Sequence, residues 1–483
     1  MNEKKITLNE GQQNAMTKIE AFLKNPYSKV FILSGFAGTG KTTMIKTLVD
    51  YMKRQKIDFR LLASTGRAAK ILEDATGSTA TTIHSEIYSF EGFNEDVDKV
   101  KKDDKFIEGL QLTIQFDLKG LDPHAPDVYV IDESSMISNK EEKEVVQSKF
   151  GKGKLLTDLF DYNANAKFIF VGDPCQLPPI SGEPSPALSA AYLKENFKFD
   201  TEESVLTEVM RQAGDSGILE AATKVRHLWE SAPENETKYF RNFWGKLPFR
   251  DIDDLVLVDD VPDLQRRYLK DIEGGDYSKA AFICKSNKGC YGFSQDFREA
   301  LGFGGNLHAG ELLLIVQNNL ISGLRNGDLV VVTKVATNTQ KRAELTFRNV
   351  EVKELFTGRS FEQLMIDDLL YQPQANLNIE QQSRLFFDFI VRMHKMGIDE
   401  KKNKELFRDF MMKDVYLNAL RASFGYALTC HKAQGGEWNN VYAYFPRNVM
   451  LNPTKQKYQW IYTAMTRAKK QFFVPDDIYI QGF

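Results

Sequence analysis

Five short apolar runs punctuate the chain: "VFIL" from Val30, "FRLLAST" from Phe59, "DVYVIDE" from Asp127, "AKFIFVGD" from Ala166 and "KAAFICKS" from Lys279. Runs of this length read as strands, and helical patterns such as "TTMIKTLVDYMKRQ" lie between them, so the chain alternates as parallel α/β layers do. The second, third and fourth runs end in polar residues, at the carboxyl ends where an open parallel sheet binds ligands. Two stretches break the rhythm. From Glu86 to about Ala125, "FEGFNEDVDKVKKDDKF" mixes charges without a strong period and is expected to be a small inserted hairpin. From about Asn306 to Leu420, "GELLLIVQNNLISGLRNGDLVVVTKV" predicts short strands with a turn at Asn326-Gly327. A charged helical stretch, "EQQSRLFFDFIVRMHKMGIDEKKNKELFRDFMMKDVYLNAL", follows it.

Chemistry enters at the end of the first run. "GFAGTGKTT", Gly35 to Thr43, carries the P-loop spacing G-x-x-x-x-G-K-[ST] between a strand and a helix, the context that gives the motif its meaning. Gly35, Gly38 and Gly40, with Thr39 and Thr43, form a loop whose amides can turn inward around a phosphate. Lys41 would reach the β/γ oxygens and the Thr42 hydroxyl would ligate Mg²⁺. In "VYVIDESSM", Asp132 and Glu133 arrive together at a strand end; one carboxylate can hold Mg²⁺ while its neighbour activates water. In "FIFVGDPCQLPPI", the Gln176 amide can contact a γ-phosphate or the attacking water. A nucleoside triphosphate, Mg²⁺ and hydrolysis are implied.

Composition changes this picture little. The 483 residues allow three or four domains at about 100–200 residues each, and 42% apolar content is ordinary for globular protein. No apolar run approaches the ~20 residues of a membrane span, and "MNEKKITLNE" lacks a signal-peptide core, so a cytoplasmic protein without a membrane is expected. The four cysteines, in no C-x-x-C arrangement, read as reduced thiols. A net charge of −3 argues against a surface that grips nucleic acid everywhere, while leaving room for one basic groove.

Nine segments then occur in order between Leu8 and Lys470: "LNEGQQNA", "GFAGTGKT", "ASTGRAAK", "ATTIHS", "VIDESSM", "VGDPCQLPPI", "LTEVMRQ", "GYALTCHKAQGGEW" and "YTAMTRAKK". In these the chain resembles the superfamily 1B DNA helicases of the RecD-like and Dda-like group. The resemblance implies two RecA-like motor domains. The first would span 1–205, with a pin-like insertion at 86–125, and the second 206–305 and 421–483. A partly β, SH3-like insertion would occupy 306–420, although its helical part after Asp367 departs from an SH3 pattern.

The same resemblance implies residue roles. Gln12 would read adenine, Arg211 and Arg467 would reach the γ-phosphate across the domain cleft, and Gly436 or Glu437 would lie near the ribose. Thr65, Thr81 and His84 on the first domain, with Thr429, His431 and Lys432 on the second, would contact a single-strand backbone. Tyr88, Phe90 and Phe93 would either split a base pair or pack the insertion's own core. Implied activity is ATP-dependent unwinding with 5′ to 3′ movement by a monomer. The partners would be single-stranded DNA, single-strand/duplex junctions, and proteins of replication, repair or recombination. A DNA-stimulated ATPase that remodels protein–DNA complexes without separating strands is the competing reading. Phe36, in place of a small residue or proline, and Ser134, in place of Ala or Val, depart from the family pattern.

Overall fold

The computed structural model describes residues 7–93, 109, 111–141, 148–179, 182–210, 216–235, 244–374 and 376–480. All five apolar runs are strands, and they sort into two parallel sheets. The first is ordered Ala80–Thr82, Phe59–Ala63, Val128–Asp132, Lys167–Gly172, Val30–Gly35, Thr201–Leu206. Its register aligns Ser34 with Gly172 and Ala63 with Asp132, so the polar strand ends open along one edge. Helices Glu10–Lys24, Lys41–Gln55 and Gly66–Thr76 bury Ile19, Phe22, Leu48 and Leu72 on one face; Leu156, Leu159, Phe160 and Leu193 cover the other. Coverage on both faces is why these strands are continuously apolar rather than alternating. The second sheet, ordered Leu255–Val258, Ala468–Pro475, Trp438–Tyr444, Ala280–Cys284, Ala427–Thr429, is also parallel throughout. These are the two RecA-like α/β lobes that the strand rhythm and the motif order imply.

An antiparallel sheet of Ser360–Ile366, Leu345–Glu354, Leu329–Arg342, Leu312–Ile315 and Ala422–Phe424 is inserted into the second lobe. The turn at Asn326-Gly327, with Gly327 at φ +98°, leads from Leu312–Ile315 into Leu329–Arg342. The longest hairpin instead turns on Ala343 and Glu344, both left-handed at φ 49° and 62°. Such a turn ordinarily selects Asn-Gly, so no residue signal marked it. The charged stretch beyond forms helices Ile379–Lys395 and Lys404–Lys413, the first opened by a capping box of Asn378 and Gln381.

In the first lobe, Tyr88–Phe93 and Ile114–Leu118 pair antiparallel as the expected hairpin, and Ser148–Phe150 adds a third strand. Residues 94–108 and 110, which would carry the hairpin's tip, lie outside the described residues. The three aromatic candidates are engaged in packing. Tyr88 is buried and donates to Asp158 Oδ2 at 2.7 Å, and Phe90 is buried in one core with Leu112, Phe386, Phe389 and Phe407. Phe93 meets Phe386 and Phe407 edge-on at 5.4 and 6.2 Å. The Leu112 amide donates to Ser383 Oγ at 2.9 Å, and Lys404 pairs with Glu91 at 2.7 Å. The hairpin of one lobe is thus braced on the helical insertion of the other.

A buried ion pair seats the antiparallel sheet on its own lobe. Arg298, on helix Asn287–Ala300, donates to both carboxylate oxygens of Glu311 at 2.5 and 3.0 Å, and both side chains are almost wholly shielded from water. The guanidinium also donates to the Gly305 and Asn306 carbonyls and lies 3.8 Å over the Phe424 ring. Removing one partner of such a pair strands the other charge, so Glu311→Gln is expected to destabilise the protein by about 3–5 kcal/mol in urea unfolding. A loss below about 1 kcal/mol would mean that the carbonyls and ring suffice for Arg298.

Candidate functional site

The P-loop closes directly on strand Val30–Gly35. Gly38 and Gly40 are left-handed at φ 75° and 81°, which only glycine adopts without strain. Helix Lys41–Gln55 starts at Gly40 with no side chain capping it, unlike helices Glu10–Lys24 and Gly66–Thr76, capped by Asn9 and Thr65. An uncapped N-terminus facing a glycine loop offers its amides and its dipole to an anion. Lys41 Nζ is folded back onto the carbonyls of Gly35 (2.8 Å) and Phe36 (3.2 Å) and stands 3.8 Å from Asp173 Oδ2. The Thr39 hydroxyl donates to Phe36 O at 2.7 Å, Thr43 is half-buried and Thr42 is exposed at the helix start.

Asp132 and Glu133 end the strand Val128–Asp132 beside this loop. Glu133 takes a left-handed conformation, φ 51° and ψ 40°, and its amide donates to Asp132 Oδ1 at 2.8 Å. A non-glycine residue held in that region is a point of local backbone strain. Loss of water, then the neighbouring Glu133 charge, lift the Asp132 carboxyl well above the usual carboxylate range, while Lys41 opposes the rise. Gln176 is buried, and its Oε1 is an acceptor without a donor among the described residues. Ser134 is fully buried and donates to Ile131 O at 2.8 Å, which is how a hydroxyl is tolerated there.

The second lobe reaches this edge with one face of helix Lys455–Met465. Gln459 donates to Pro174 O (2.9 Å), and Thr463 Oγ1 accepts the Leu177 amide (2.9 Å). Tyr462 Oη accepts the Ala37 amide at 2.7 Å and donates to Asp173 Oδ2 at 2.9 Å. Residues three and four apart share a helix face, so a single surface touches both the P-loop and the turn after strand Lys167–Gly172. Cys175 and Leu177 of that turn are buried in the second lobe's core. Helix Gly217–Ser231, packed beside helix Lys455–Met465, also meets the loop, with Arg226 lying 4.3 Å over the Phe36 ring. The large residue at position 36 is therefore the loop's handle for the second lobe.

Arg467 follows the same helix and is buried within its own lobe. It donates to Thr463 O (3.1 Å), Thr466 Oγ1 (3.2 Å) and Gly436 O (3.5 Å). Its charge still acts on Asp173 across the cleft, helping Lys41 to oppose the rise that burial imposes on that carboxyl. Gly436 has no room for a side chain, since a Cβ would sit 2.4 Å from the Trp438 ring, and Glu437 points outward to Lys469 at 3.2 Å. Gln12 is fully buried. Its oxygen accepts the Asn9 amide at 3.1 Å and its nitrogen donates to Thr39 O at 3.0 Å, so it ties the first helix to the P-loop. Arg211 lies outside the described residues.

The polymer-facing candidates form matched pairs. Thr65 follows strand Phe59–Ala63 and caps helix Gly66–Thr76; Thr429 ends strand Ala427–Thr429 and caps the short helix Cys430–Ala433. Each hydroxyl accepts a helix amide, from Ala68 at 3.2 Å and Lys432 at 3.4 Å, which leaves its proton to donate outward. Thr81 lies on the edge strand Ala80–Thr82 and His84 one turn beyond it, against Phe150 at 5.0 Å. Burial pushes the His84 imidazole down to about 4 and lowers His431 too, so both are neutral at neutral pH. Lys432 and Thr429 line a cavity with Asn287, Tyr291, Gln372 and Gln374.

Two protein families match this chain, an AAA domain over residues 7–234 and a UvrD-like helicase C-terminal domain over 424–474, one on each lobe and together covering more than half of it. The ATP-dependent RecD2 DNA helicase of Deinococcus radiodurans is 26% identical over 454 residues, 92% of this chain and 46% of that one. The chain is similar to the RecD-like superfamily 1 helicases. An uncharacterized protein of Methanocaldococcus jannaschii is 27% identical over 96% of this chain and 38% of its own length. The chain thus spans under half the length of these curated relatives. Among solved structures, the Pif1 helicase from Bacteroides in complex with ADP-AlF3 and ssDNA aligns with a TM-score of 0.46 at 14% identity, covering 98% of this chain and 93% of that one.

Two contributors to this RecD-like cleft carry no obvious mark in the sequence. Tyr462 opens the segment "YTAMTRAKK" and is distinguished only by lying on the face that ends in Arg467; Arg226 has no motif around it. Gly40 is the tightest point of the loop, because a Cβ there would meet Gln12 Nε2 at 2.5 Å in a left-handed backbone. Gly40→Ala is expected to weaken ATP binding at least about tenfold in calorimetric titration, with the unfolding temperature lowered by only a few degrees. Unchanged affinity would show that the loop does not need this conformation.

Proposed function

We propose that this chain is an ATP-driven DNA helicase that moves 5′ to 3′ along single-stranded DNA and separates duplex. The observation that carries the reading is the cleft itself: P-loop and carboxylate pair on one lobe, and on the other a helix whose Tyr462 hydrogen-bonds across it, with Arg467 just past the helix end. A passive nucleotide latch has no need of a water-activating glutamate together with a guanidinium on a second lobe. Direction of movement follows from the RecD-like resemblance.

In this reading Lys41 leaves the Gly35 and Phe36 carbonyls for the β/γ oxygens, the uncapped helix start receives phosphate, and Glu133 takes a proton from water. Gln176, with its open acceptor, orients that water. Arg467, and Arg211 by resemblance, stabilise charge as the lobes close. Thr42 and Asp132 suit a hard dication: a hydroxyl at the helix start, and a carboxylate whose desolvation the Glu133 amide and Lys41 only partly offset. Mg²⁺, when bound there, supplies neutralisation of phosphate charge. On the polymer side, Thr65, Thr81 and Thr429, the two neutral histidines and Lys432 offer mostly uncharged donors to a single-strand backbone, in keeping with the acidic composition.

Glu133→Gln is expected to keep ATP affinity within about threefold of the parent while slowing turnover by about 10²-fold or more. Turnover near the parent rate would remove Glu133 as the base. A duplex carrying a 5′ single-stranded tail should be unwound with ATP, and the 3′-tailed duplex should not. DNA-stimulated hydrolysis with neither duplex unwound would favour the remodelling ATPase, and unwinding of only the 3′-tailed form would reverse the polarity.

A further inference from the structure

Tyr462 occupies a position that the proposed chemistry leaves unused. Its hydroxyl comes from the second lobe, is nearly sealed from solvent, and bridges two groups of the first: the Ala37 amide of the P-loop and the Asp173 carboxylate. The donor directions are fixed, because an amide can only donate and a carboxylate can only accept. The phenolic proton is therefore committed to Asp173.

Asp173 is wholly buried and has few satisfied directions: the Cys175 amide at 2.9 Å on Oδ1, the Tyr462 hydroxyl on Oδ2, and Lys41 Nζ at 3.8 Å from that same Oδ2. Tyr462 and Lys41 thus compete for one oxygen. While the phenol is docked, it satisfies Oδ2 at hydrogen-bond distance and Lys41 stays beyond it, on weaker carbonyl partners that it can leave. With the phenol gone, Oδ2 loses its hydrogen-bond donor in a buried site, and the nearest group able to answer it is the Lys41 ammonium.

We propose that Tyr462 is a positioning residue that makes Lys41 available to phosphate: docking of the second lobe satisfies Asp173 through the phenol and so prevents the carboxylate from sequestering the P-loop lysine. The lobe that supplies Arg467 to the far side of the nucleotide thereby also prepares the near side. This rests on the reading that Lys41 serves a triphosphate.

The test uses the full chain and ATP itself, reading both the dissociation constant by calorimetry and steady-state turnover with single-stranded DNA. Tyr462→Phe removes only the hydroxyl. It is expected to weaken ATP binding about tenfold, the scale of one hydrogen bond to a charged group. Asp173→Asn added to Tyr462→Phe removes the trap and should bring the affinity back to within about threefold of the parent. A purely structural role for the phenol predicts the opposite, because a second lesion in the docking surface would deepen the loss. Affinity unchanged in Tyr462→Phe, or no recovery in the double variant, would overturn the proposal. A parent protein that binds ATP but does not turn it over would sink the helicase reading while leaving the binding comparison legible.

Discussion

Function in this molecule depends on one contact, the face of helix Lys455–Met465 against the carboxyl ends of the first lobe's strands. Gln459, Tyr462 and Thr463 each make a hydrogen bond across it, and Cys175 and Leu177 are taken into the second lobe's core. Apolar burial supplies adhesion without direction, whereas the hydrogen bonds fix register. A helix shifted by one residue in register would turn this face about 100° away and lose all four bonds, two of them at Tyr462, together. The contact is therefore close to all-or-none, as a device that converts nucleotide state into lobe position requires.

In the proposed helicase reading, the two lobes would meet the polymer by the same local solution. A short strand ends, a threonine hydroxyl caps a helix, and the hydroxyl proton and the first turn face outward, at Thr65 in one lobe and Thr429 in the other. Because the two sites ride on different sheets, any change in lobe spacing changes the distance between them. Segment 429–437 adds a link, since Thr429 and Lys432 lie a few residues before Gly436, whose carbonyl accepts Arg467. In that reading, occupancy of the polymer site and the position of the arginine would be related through a single loop.

Much of this was legible from residues. Strand runs, P-loop, acid pair and motif order depend on local chemistry that the chain writes in contiguous letters. What was not legible depends on groups brought together from far apart. Phe36 looked like a mere departure until Arg226 stacked on it, and Tyr462 carries no local signature because its partners, Ala37 and Asp173, lie hundreds of residues away. The Ala343-Glu344 turn was invisible for another reason. Long cross-strand pairing between Leu329–Arg342 and Leu345–Glu354 holds those two residues in a conformation that their own preferences resist. Gln12 shows a subtler limit: its position by the nucleotide loop agrees with the family motif, yet both ends of its amide already serve the helix cap and Thr39.

The insertions constrain how the lobes can move. Phe90, Phe93 and Leu112 of the first lobe are packed into the second lobe's helical insertion, a close-packed aromatic joint that cannot shear by small amounts without opening voids. A second bridge is of another kind. Lys70 pairs with Glu354, the Arg67 guanidinium lies between the Phe356 and Trp438 rings at 5.2 and 5.1 Å, and Arg325 donates to Gly66 O. Arg67 and Glu354 are buried, so parting these pairs would strand charge, and this bridge resists separation as the aromatic joint does. Both bridges tie first-lobe elements to the second lobe's insertion, so relative motion of the lobes has to work against two packed contacts rather than turn on a free hinge.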